Sequence, residues 1–159
     1  MTAPHHARGG AALAVLNRMD AWEAQLVLNL RLWCDGAQGR ARAQRDYSAA
    51  LSPAEADEAW SIFDRLVVKV LATSARPLVR HEVGCNCVGS DECIFLHLVR
   101  TASDGHLNDA ALIATLLSGP AHAEHIALLA GDVGCTMRRI HRTAANALPN
   151  DDRKVVHLH

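Results

Sequence analysis

Aromatic residues are scarce in this chain, at 4% of the whole, and long apolar runs are missing altogether. With half of the residues hydrophobic, the core must then be assembled from Ala, Leu, Val and Ile. That composition suits close-packed helices better than a sheet. No apolar stretch reaches the ~18 residues of a membrane-spanning helix, so a helical membrane protein is not expected. Neither sign of charge is in excess. The net charge is −1 and the pI near 6.8, so no global field draws the molecule to nucleic acid or acidic lipid.

Other absences narrow the chemistry. Met1 to Gly10 contains Arg8 but no apolar core with a small-residue cleavage site, and so does not read as a signal peptide. A cytoplasmic location is expected, where thiols stay reduced and available. Five cysteines, an odd count, argue against a purely disulfide framework. There is no Gly-rich phosphate loop, no Ser-centred nucleophile elbow and no His-Glu-x-x-His helix. His122 and His125 are too thin a pair to stand as a metal site.

What is present is helical periodicity. A length of 159 residues fits one domain that buries roughly 70% of its unfolded surface. A flexible leader is expected over 1–10, a helical domain over 11–148 and a polar tail over 149–159. Leu13, Leu16, Met19, Trp22, Leu26, Leu30 and Trp33 mark one face of a long helix over 11–35, closed by Asp35-Gly36. Its additional apolar positions extend beyond one stripe, which makes it a candidate homodimer seam. A shorter helix is expected over Gly39 to Leu51, its Arg40, Arg42 and Arg45 on a solvated face.

Ser52-Pro53-Ala54-Glu55 is a helix start, and Arg76-Pro77 lies past that helix's end. Ser90 is expected to cap a helix running to Gly105, with Asp91 and Glu92 in its first turn. A helix from Asn108 to Gly119-Pro120 follows. The last helical stretch covers Ala121 to Ala147, with possible breaks at Gly131 and Gly134. The fold class is therefore all-α: a single-domain bundle of five or six helices with one irregular loop over 78–90.

That loop concentrates the reactive side chains. His81-x3-Cys85-x-Cys87-x5-Cys93 supplies four metal donors within thirteen residues, with Gly84 and Gly89 on either side of the Cys-x-Cys pair. Zinc sites need deprotonated Cys or neutral His drawn into a tetrahedron by tight turns. His81, Cys85 and Cys87 are the expected ligands, and Cys93 the fourth. The helix end is expected to favour its thiolate. A redox dithiol and an iron–sulfur cluster use the same letters, after zinc. Cys34 and Cys135 sit among apolar residues and read as packing.

A second segment, 129–143, has the offsets of a helix-turn-helix: Ala130, a turn at Gly134 and Ile140 as anchor. Thr136, Arg138, Arg139 and Arg142 would then face DNA. The slightly acidic chain argues against it, since binding modules carry a basic excess. A continuous helix with solvated arginines explains the same residues. The sequence thus points to a small cytoplasmic scaffold or regulatory module with a structural zinc over 81–93 and an unidentified protein partner. The alternatives are a DNA-binding regulator and a thiol or metal enzyme built on the same loop.

Overall fold

Residues 14–147 are described by the structure, a computed structural model. The leader 1–10, Leu13 and the tail 149–159 lie outside the described residues. Within them the chain is all-α, with six helices and one two-stranded ladder. No described helix is long and apolar enough to cross a membrane.

The first helix, α1 (Ala21–Cys34), starts later than periodicity predicts. Ahead of it Ala14–Val15 forms a short strand, β1, and Leu16–Arg18 a 3₁₀ turn. Leu16 and Met19 continue the three-residue spacing by coincidence. The backbone there pairs instead with β2 (Cys87–Val88), Ala14 opposite Val88 and Val15 opposite Cys87. The Leu16 N–H also donates to Asn86 O at 2.9 Å. Asp20 marks the true start of the helix, its carbonyl accepting the N–H groups of Glu23 and Ala24.

α1 is wrapped by the rest of the bundle. Leu26, Val27, Leu30, Leu32 and Trp33 are all buried, as are Glu23, Asn29 and Arg31 on its other sides. Of the further apolar positions that suggested a homodimer seam, Val27 and Leu32 are buried within the chain, Leu28 is half-buried and Val15 exposed. Gly36, at φ +89°, makes the turn that lets α2 (Ala37–Ala50) fold straight back.

α3 (Pro53–Thr73) begins where the sequence places it. The Glu55 carboxylate accepts both the Ser52 N–H (3.2 Å) and the Ser52 hydroxyl (2.6 Å). Tyr47, Trp60 and Phe63 pack together between α2 and α3, with ring centroids 5.7–6.2 Å apart. Three of the few aromatics are thus spent on one seam.

α4 (Ser90–Ser103) and α5 (Leu107–Ala114) lead to α6 (Ala123–Ala147), which packs across α4, α5 and α3. Ser90 is already helical; Gly89 is the cap position. α6 runs unbroken through 129–143, which corrects the helix-turn-helix expectation. Gly131 and Gly134 are where it crosses α4. A Cβ on Gly134 would lie 2.6 Å from Ser103 Cβ and 2.9 Å from Val99 O; on Gly131 it would sit 3.4 Å from Ala102 O. Glycine here serves close helix approach, which offsets its cost of about 1 kcal/mol within a helix.

Candidate functional site

The segment between α3 and α4 has almost no regular structure, yet it is heavily tied down. Its organiser is Arg31, on the inward side of α1. The Arg31 Nε donates to Glu92 Oε1 at 2.6 Å and Nη2 to Glu92 Oε2 at 2.9 Å. Nη1 donates to the carbonyls of Glu82 (3.1 Å) and Cys85 (2.5 Å), and Nη2 to that of Cys87 (2.6 Å). A guanidinium has five N–H donors, and all five are used. Both charged side chains are 0% exposed.

Glu92 completes the arrangement from the other side. Its oxygens also accept the N–H of His81 (3.2 Å) and of Gly89 (2.9 Å), so one carboxylate serves the loop, the helix start and the cation. Asp91 does the same further upstream. It takes a two-point bond from Arg76 (2.7 and 2.8 Å) and the Val79 N–H at 2.7 Å. The Arg76 hydrogen bond holds the Asp91 carboxyl below its ordinary range. Helix capping, the role expected for both acids, is only part of what they do.

The expected ligands fall into two groups. His81 is buried, and its Nδ1 lies 3.7 Å from the Cys85 sulfur. Its Nε2 has no partner among the described residues. Cys85 leaves a turn, its N–H donating to Glu82 O, Cys87 opens β2, and the two thiols are neighbours. The Cys85 thiol beside it pushes the Cys87 thiol up. Cys93 stands apart, packed against the hydrophobic core. Burial and then the Glu92 charge push its thiol up, which corrects the expectation that the helix end would favour the thiolate. Among the described residues no three His, Cys, Asp or Glu donors stand where one ion would touch them all.

Tetrahedral zinc with bonds of ~2.3 Å to sulfur and ~2.0–2.1 Å to nitrogen needs ligand atoms about 3.6 Å apart. The His81–Cys85 separation fits that edge. Cys87, half-buried beside the Cys85 thiol, would have to turn its own thiol to join.

Two of the three arginines expected to face DNA are occupied elsewhere. Arg138 bonds Asp104 at 2.6 Å and lies 4.8 Å over the Trp22 ring; Arg139 is 3.3 Å from Glu55. Thr136 is half-buried and Arg142 exposed. Arg31 is the residue that sequence reasoning passed over. Its signal was a lone charge inside the apolar run Leu28-Asn29-Leu30-Arg31-Leu32-Trp33. Comparison with family models, with curated proteins and with solved structures finds no match to this chain.

Proposed function

We propose that this protein is a small helical regulatory module whose 81–87 loop binds a soft divalent metal, zinc first, reversibly. His81 Nδ1 and the thiolates of Cys85 and Cys87 are the ligands, with one position left to water or to a donor from a partner. The observation that carries the reading is the set of Arg31 bonds to the carbonyls of residues 82, 85 and 87. A zinc that builds a fold supplies the free energy of folding itself. Here the backbone around the donors has another organiser, so the metal need not be permanent. This revises the expected structural zinc into an exchangeable one and leaves Cys93 out of the ligand set.

Binding has a route outward. Cys87 belongs to β2, and β2 holds the chain ahead of α1 through the ladder and through Asn86. A turn of Cys87 onto a metal changes the strand to which β1 is paired. Regulation through this contact fits a loop of reactive donors on a rigid support.

The test is competition titration of chelator-stripped protein with zinc. One equivalent should bind, and both Cys85→Ser and Cys87→Ser should weaken it by about a hundredfold or more. Cys93→Ser should bind as the wild type does. Equal binding by wild type and Cys85→Ser would remove the proposal, assigning the metal to scattered histidines.

A further inference from the structure

Independently of the loop, we infer that the cavity between α1, α2 and α6 is a binding site for a small neutral ligand carrying an amide-type carbonyl and N–H. The cavity has a volume of about 180 Å³. Two of its lining side chains are almost wholly buried: Asn29 is 0% exposed and Tyr47 2%. Asn29 is a close polar neighbour of the Tyr47 hydroxyl, and neither the Asn29 Nδ2 nor that hydroxyl has a hydrogen-bond partner of good geometry among the described residues. Buried polar groups are nearly always satisfied, so two orphans beside one cavity point to an occupant. Both can donate. The group they fit is therefore an acceptor oxygen.

The remaining polar wall sets the other half of the ligand. Gln25 Nε2 donates to Asn29 Oδ1 at 3.0 Å and to Asp46 Oδ2 at 2.8 Å, fixing both side chains. The Asp46 carboxylate retains acceptor capacity at the rim for an N–H. Met137 and Ile140 supply apolar surface from α6. Charge decides the class. An anion would meet Asp46 at the rim, while Arg42 and Arg45 offset the Asp46 charge from outside the cavity, which leaves little net field for a cation. His141, whose imidazole burial holds below its usual range, adds no cation near neutral pH. A neutral molecule is not repelled and needs no such field.

The probe is δ-valerolactam, a neutral ring presenting one carbonyl and one N–H on the same side. It should shift the NMR signals of the Asn29 side-chain amide and the Met137 methyl, with a Kd on the order of 1 mM for so small a molecule. Tyr47→Phe removes only the hydroxyl. An unpartnered buried hydroxyl contributes no stability, so this variant should melt at or above the wild-type temperature. It should also bind the lactam about tenfold more weakly. Three results would overturn the inference. One is absence of shifts at about tenfold excess over that Kd, which leaves a merely hydrated cavity. Another is equal binding by Tyr47→Phe. The last is a lower melting temperature for Tyr47→Phe, which places the hydroxyl in the fold's own bonding.

Discussion

Arg31→Met should destabilise the protein by on the order of 3–5 kcal/mol, the largest loss expected from a single change in the described chain. A domain of this kind has only about 5–15 kcal/mol in total, so the variant should be marginal or unfolded at 37 °C. The reason is what remains behind. Glu92, 0% exposed, would be a buried charge without a cation, and the carbonyls of Glu82, Cys85 and Cys87 would lose their donors. Arg31→Lys should recover a fraction only, since an ammonium has three donors and no planar fork.

The double variant Arg31→Met/Glu92→Leu separates two accounts of this pair. Replacing both members of a simple buried ion pair with apolar residues is often neutral. Here it should not be, because three backbone carbonyls and the N–H groups of His81 and Gly89 depend on the same two side chains. Urea unfolding of the single and double variants reads this directly. A double variant as stable as wild type would reduce Arg31 to an ordinary ion-pair partner.

Gly134→Ala is the second substitution with a large expected effect, a loss of about 1–3 kcal/mol. The added methyl meets Ser103 Cβ and the Val99 carbonyl inside ordinary contact distance, so α4 and α6 must separate. The gain of up to about 1 kcal/mol from replacing glycine within a helix does not cover that. Gly131→Ala is the control on the same helix. Its new methyl is 3.4 Å from Ala102 O, a contact that yields with little movement, and the variant should be neutral or slightly more stable. Thermal unfolding of the two proteins checks the contrast. Equal stabilisation by both would mean that α6 does not cross α4 as closely as described.

The helices were legible because their boundaries are written in local chemistry. Ser52-Pro53 opens α3 and Asp35-Gly36 closes α1 through side-chain and backbone preferences that need no tertiary context. The errors arose where a distant partner decides. Leu16 and Met19 have helical spacing, but β2, some seventy residues later, pairs with Ala14 and Val15, and the Leu16 N–H goes to Asn86 O. Gly134 reads as a turn residue until the nearness of Ser103 gives it a packing reason.

The candidate site divides in the same way. The clustering of His81, Cys85 and Cys87 was visible, since all three lie close in sequence. The separation of Cys93 from them was not, because helix phase turns it toward the core. The role of Arg31 was hidden for a simpler reason: its bonds cross 51 to 61 positions, and a lone arginine in a helix gives no direction. Asn29 and Tyr47 were likewise unremarkable until α6 closed a cavity over them.

Hydrogen exchange on chelator-stripped protein addresses most directly what holds the 79–89 loop. Val79, His81 and Gly89 donate their amides to the carboxylates of Asp91 and Glu92, at 2.7, 3.2 and 2.9 Å. These amides should be protected without any metal, and saturating zinc should leave their protection unchanged. Exchange at the rate of free chain until zinc is added would make the ion, and not Arg31, the organiser of the loop.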